Sequence, residues 1–290
     1  MTAEAATAEP AAPAVRRGLP RLDRWGLLVL PLVGFLLAVL VWPLTAVLLR
    51  SFTDPEPGVE NYLAFFHSPV YLDVLVNTFV TAGLVTLVTL LLGFPYSYLM
   101  TLASPFWRGV LMLAVLVPFW TSLLVRTFAW VLILRDTGVV NELLPGPPVP
   151  LLRNLPGVLI GMVQVMLPFA VLPMYAAMRG IDRRLLQAAE GLGARPAFAF
   201  WRIYAPLAVP GVAASALLVF VSSLGFYVTP ALLGGPKNIM IGELIVQQLS
   251  GVLRWGFASA LAVILLVVTG GLLMLMSRLV DLRRLLGGAR

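Results

Sequence analysis

The stretch RRLLQAAEGLGARPAFAFWRIYAPLAVPG, Arg183 to Gly211, separates two long apolar runs. Leu185, Ala188, Ala189 and Leu192 recur at i, i+3, i+4 and i+7, the spacing of one helix face, while Arg183, Arg184, Gln187 and Glu190 lie mostly elsewhere. Asp182 suits an N-cap or first-turn acid. Gly191 and Gly193 end the helix, because glycine accepts the left-handed C-terminal conformation. Pro196 suits the first turn of a second helix, where its missing N–H costs nothing. That helix carries Phe198, Phe200, Trp201 and Tyr204 until Pro206 opens the next apolar run. The stretch therefore predicts helix, glycine turn, helix, a compact protrusion with an aromatic surface. Physics alone leaves two uses open. It lies on lipid headgroups, arginines outward, or it docks in the groove of a soluble partner.

The flanks decide the class. Of 290 residues, 60% are hydrophobic and 11% charged, and the mean hydropathy is +0.96. Soluble domains carry about 25% charge, so this chain is predicted to be an all-α polytopic membrane protein. Six segments reach the roughly 20 apolar residues a spanning helix needs: 26–49, 74–103, 110–134, 157–178, 206–228 and 257–279. They are continuously apolar, whereas barrel strands alternate. Pro95 is placed to kink the second.

Charge sets the direction. With the N-terminus inside, 14 of the 20 Lys and Arg residues fall on cytoplasmic segments and 6 outside. Both termini are thus expected in the cytoplasm, with the Arg183–Gly211 stretch between them in chain order and on the same side. Residues 1–24, rich in Ala and Pro, read as a disordered cytoplasmic tail. A cleaved signal is disfavoured, since the apolar run from Leu27 to Leu49 is too long and further spans follow. Residues 25–282 form the membrane domain, with its cytoplasmic loop at 180–205, and 283–290 form a C-terminal tail. The net charge of +7 is scattered between apolar runs, which points to a lipid surface rather than nucleic acid.

The loop resembles the cytoplasmic motif of ABC importer permeases, Glu-Ala-Ala, three residues, Gly, nine residues, Ile, one residue, Leu-Pro. It stands here as Gln187-Ala188-Ala189, Gly193, Ile203 and Ala205-Pro206, with Gln for Glu and Ala for Leu. The segments VPFWTSLLVRTFAWVLILRDTGVVNELL (Val117–Leu144) and LGFYVTPALLGGPKNIMIGELIVQQL (Leu224–Leu249) are similar to the spermidine/putrescine branch of that family. So is Leu167–Ala189. The resemblance implies an ABC permease-type fold of six spans. The loop would be the coupling helix seated in a cleft of the ATPase subunits. A second permease subunit, heterodimer-forming, and a periplasmic solute-binding protein complete the assembly in the bacterial inner membrane. It implies inward movement of polyamines by alternating access, or of another small solute such as an amino-acid derivative or opine. A stand-alone secondary transporter is the other class. It needs intramembrane carboxylates, and the six span interiors contain no Asp or Glu.

Pathway candidates are few. Arg126 sits about 16 residues into the third span, roughly 24 Å from its inner start at 1.5 Å per residue. An ionisable group at that depth faces a cavity or the bundle interior, snorkels outward, or pairs with Asp136 or Glu243. Its charge suits no polycation. Glu243, in an apolar segment too short to span, offers a carboxylate to an ammonium group, and Trp120, Trp130 and Tyr227 offer cation–π faces or interfacial anchors. Gly157 and Gly161 form a G-x-x-x-G packing pattern. There is no cysteine and one histidine, His67. No catalytic residue, metal site or cofactor is expected, and with no phosphate-binding loop, ATP must be bound by another chain.

Overall fold

The computed structural model describes residues 24–279. Of the expected tails, residues 1–24 and 283–290, all but Arg24, which opens the first helix, lie outside them. Two compact units meet in sequence between Ala46 and Val47. The first is the leading part of α1 (Arg24–Thr53), whose apolar side chains from Val29 to Leu44 are exposed, as suits a helix surrounded by lipid.

The second unit holds α2 (Glu60–His67), α3 (Pro69–Leu102), α4 (Pro105–Leu116), α5 (Leu123–Ile133), α6 (Val139–Leu143), α7 (Leu155–Arg179), α8 (Arg184–Gly191), α9 (Pro196–Ala199), α10 (Ala205–Leu224), α11 (Val228–Leu233), α12 (Ile241–Ser250) and α13 (Trp255–Leu279). Every regular element among the described residues is helical. Among the described residues five helices are long and apolar enough to span a membrane, and α4 with α5 makes a sixth when the bent pair is counted as one span.

The break corrects the straight third helix expected at 110–134. After a 3-10 turn at Val117–Trp120, Thr121 and Ser122 are extended, and α5 leaves at 101° to α4. Pro118 supplies no N–H to the ladder. Two extended residues then interrupt it altogether. The depth of Arg126 therefore cannot be counted along a straight axis: the chain has turned before reaching it.

The fifth span differs in the opposite sense. A boundary was expected at Pro206, yet the helix is continuous from Pro196 to Leu224. Residues Phe200–Tyr204 take a π-turn, in which the Ala205 N–H reaches back to the Phe200 carbonyl. The wider turn accommodates a proline that would otherwise clash inside the ladder. α3 likewise runs as one helix through Pro95.

α7 is the central helix, packed on α3 and on α10. Val158, Met162, Met166, Ala170, Met174 and Met178 recur every four residues and are all buried. Flexible methionines fill the uneven gaps left around Pro168 and Pro173. Small residues allow close approach. A Cβ on Gly211 would lie 2.4 Å from Ala177 Cβ, so α10 meets α7 there at backbone distance. Where lipid offers no hydrogen bonds, polar side chains reach across: Ser215 Oγ donates to the Ala170 carbonyl (2.8 Å) and Ser97 Oγ to the Val171 carbonyl (3.2 Å). The Gly157/Gly161 pattern receives a short helix rather than a span, since a Cβ on Gly161 would strike Leu233 and Thr229 of α11.

Candidate functional site

At one end of the bundle, α7 passes through Gly180 to α8. The Arg184 N–H donates to Asp182 Oδ1 (2.9 Å), so the expected acid does receive the first turn. Gly193 has φ +89°, the left-handed glycine expected there, and Pro196 starts α9. The face of Leu185, Ala188 and Leu192 points away from the bundle, with Leu192 90% exposed. Gln187 and Pro206 are exposed, and Ala189 and Ile203 half-buried. Leu186 and Phe200 instead pack on the core. The aromatic surface divides. Phe198 and Trp201 stay outside, but Tyr204 is buried and Phe200 half-buried in edge contacts with Tyr98 (5.1 and 5.2 Å between ring centres). The continuous helix turns those two rings toward α3, which the helix boundary expected at Pro206 did not show.

Two arginines at this end escaped sequence reasoning as positioning groups. Arg108, from α4, donates to the Met100 and Ala103 carbonyls (3.3 and 3.0 Å), and Arg183 donates to the Thr101 carbonyl. Together they occupy the orphan carbonyls at the C-terminal end of α3, where cations are favoured. Arg183 thereby fastens the start of the α8 knob to a neighbouring span. The only sequence signal was a basic residue between two apolar runs, indistinguishable from any positive-inside arginine.

At the far end, the α4–α5 elbow, α7 and the end of α10 border an open cavity of about 280 Å³. Phe119, Met166, Phe169, Phe226 and Ser222 line it, and among the described residues Arg126 is the one charged residue in its wall. Arg126 Nε is buried without a hydrogen bond. Among the described residues Arg126 makes no ion pair, so neither Asp136 nor Glu243 neutralises it. Trp120 is 73% exposed at the elbow. Trp130 is committed within the chain, its Nε1 donating to Gln164 Oε1 at 3.0 Å. Tyr227 is 43% exposed just before α11.

Glu243 stands apart, outside the cavity wall, in the first turn of α12. That helix is pinned to α3: the Ile241 N–H donates to Thr78 Oγ1 and Asn77 Nδ2 to the Ile239 carbonyl, both at 2.8 Å. Behind it, Gly242 abuts the backbone of Gly225 and Phe226, so α12 backs the cavity wall. Burial pushes the Glu243 carboxyl above its ordinary value, against a hydrogen bond from Gln247 (3.1 Å) that favours the charged form. The structure thus brings Trp120 and Arg126 to one elbow and leaves Trp130 and Glu243 in separate contacts. The cavity's apolar walls carry no chemical signature that sequence reading could pick out. Among the described residues no cluster of metal-ligating side chains occurs.

No family model matches the chain. Curated relatives do. It is 35% identical over 215 residues to a spermidine/putrescine transport system permease protein of Haemophilus influenzae, covering 72% of this chain and 75% of that one. It is 31% identical over 260 residues to the corresponding protein of Escherichia coli, 85% and 94% of the two chains. The chain belongs to the spermidine/putrescine-type family of ABC importer permeases. The fold agrees. A bacterial ABC transporter involved in import of the acidic polysaccharide alginate superposes with a TM-score of 0.68 at 23% identity, over 88% of this permease and 94% of that chain. The permease is a multi-pass inner-membrane protein and a non-catalytic transport subunit.

Proposed function

We propose that this permease moves polyamines inward as one half of the membrane channel of an ATP-driven importer. The observation that carries the reading is the extent of likeness to two spermidine/putrescine permeases, 31–35% identical along most of the chain. In this reading ATPase subunits seat the α8 knob in a cleft. Gln187, Ala188, Ala189 and Gly193 form the inserted part, while Ile203 and Pro206 join it to α10. A second permease subunit completes the channel, an external binding protein delivers the solute, and both termini are cytoplasmic.

The geometry suits force transfer. Because α9, the π-turn and α10 are one helix, displacement of the knob acts directly on a span. On its other side the knob is tied through α7 and, by Arg183, to α3. ATP-driven closure of the ATPases rocks these helices and opens the channel outward; hydrolysis and ADP release return it. No residue performs covalent chemistry.

The test is uptake of labelled spermidine and putrescine by cells lacking their own polyamine importers and supplied with the whole system. Saturable uptake that stops when the ATPase is inactivated supports the reading. A complex that assembles and hydrolyses ATP yet imports neither polyamine refutes the substrate class.

A further inference from the structure

We propose that Arg126 receives an acidic side chain of the second permease subunit at the mouth of the α4–α5 elbow cavity. This rests on the reading of the chain as one half of a permease pair. Among the described residues the guanidinium has no counter-charge: its Nε is buried and unbonded, and no carboxylate lines the cavity. Arg126 is half-buried, and its Nε donor is desolvated yet left without an acceptor, which is costly.

Three sources of an anion compete. A lipid phosphate requires the side chain to extend outward to headgroups, whereas Arg126 lines the cavity beside Phe119, Met166 and Phe169 with its Nε buried. A polyamine brings only ammonium groups and is repelled. A protein carboxylate fits both the charge and the surroundings. The surface around the elbow is apolar and exposed: Phe119, Trp120, Leu124, Val125 and Phe128 are each more than half exposed. An arginine within an aromatic and aliphatic collar is the composition of a protein–protein contact centre. A planar guanidinium can take a carboxylate by two parallel hydrogen bonds, which sets register between the two chains.

The test uses the assembled complex in native membranes. Arg126→Lys keeps a cation and supplies an amine; a membrane-permeant carbodiimide then joins that amine to any carboxylate in contact. The expected product is a cross-link between position 126 and an Asp or Glu of the second permease subunit, located by mass spectrometry. In parallel, Arg126→Glu is expected to lower recovery of the second permease subunit on the purified chain about tenfold or more, while Arg126→Lys keeps it. Arg126→Glu chains are first shown to insert and remain monodisperse. A cross-link to phosphatidylserine or to Glu243 of the same chain overturns the proposal. So does full recovery of the pair with Arg126→Glu, including the case in which only the KM for solute changes, which makes the cavity a solute subsite. Failure of the unaltered chain to recover any second permease subunit overturns the importer reading itself, a different outcome.

Discussion

Glu243 shows how one carboxylate reports on its surroundings. Its first-turn place on α12 favours the ionised form, and Gln247 donates to it, but burial outweighs both and raises its pKa above 4.5. The sign follows from linkage. Because the folded state holds the proton more tightly than the unfolded state, stability falls as pH rises between 4.5 and the raised folded value. Glu243→Gln, which retains an acceptor oxygen for Gln247, is expected to raise the melting temperature of the detergent-solubilised protein at pH 7. That gain should shrink on acidification and vanish below about pH 4.5, where both chains are neutral at this position. Equal melting temperatures at pH 7 would remove the desolvation account. Sequence alone had offered Glu243 as a partner for ammonium groups; it could not show that the side chain is half-buried and already hydrogen-bonded within α12.

At the scale of elements, the knob and its attachments carry the mechanical claim. Sequence reading captured the helix–glycine–helix form, because Gly193 needs a left-handed backbone and Pro196 needs a first turn, and both are local demands. It missed the continuity of α9 with α10, because a π-turn shifts hydrogen bonds by one residue without altering composition. It missed the elbow after Trp120 for a related reason: residues 105–133 are evenly apolar, so hydropathy reads through a 101° bend. Arg183 tests whether attachment to α3 matters. Arg183→Ala removes the bond to the Thr101 carbonyl but leaves α8, its exposed Leu192 face and the α10 junction in place. The complex is expected to assemble and hydrolyse ATP, with solute imported per ATP falling about 3- to 10-fold, the range of a coupling loss near 1 kcal/mol. Arg183→Lys should recover part of it, since an ammonium group also serves a helix C-terminus. An unchanged ratio in Arg183→Ala would confine coupling to α7 and α10.

For the whole molecule, sequence and structure bear on different questions. The number of spans was readable because about 20 apolar residues are a physical length, and the fold that results is that of ABC permeases. Sidedness is written only in the charges. The knob end holds Arg108, Arg179, Arg183, Arg184, Arg195 and Arg202, the far end comparatively few. Anionic lipids and the insertion machinery hold such clusters inside. The chain has no cysteine, so single-cysteine variants give a clean test. Gln187 and Leu192 on the knob are exposed, as is His67 at the end of α2. In intact cells a membrane-impermeant maleimide is expected to label His67→Cys and to spare Leu192→Cys, and in inverted vesicles the pattern should reverse. Labelling of Leu192→Cys from outside would place the knob away from any cytoplasmic ATPase. It would dismantle the coupling mechanism even with the fold unchanged, since a helix that reaches no nucleotide-binding partner has nothing to transmit.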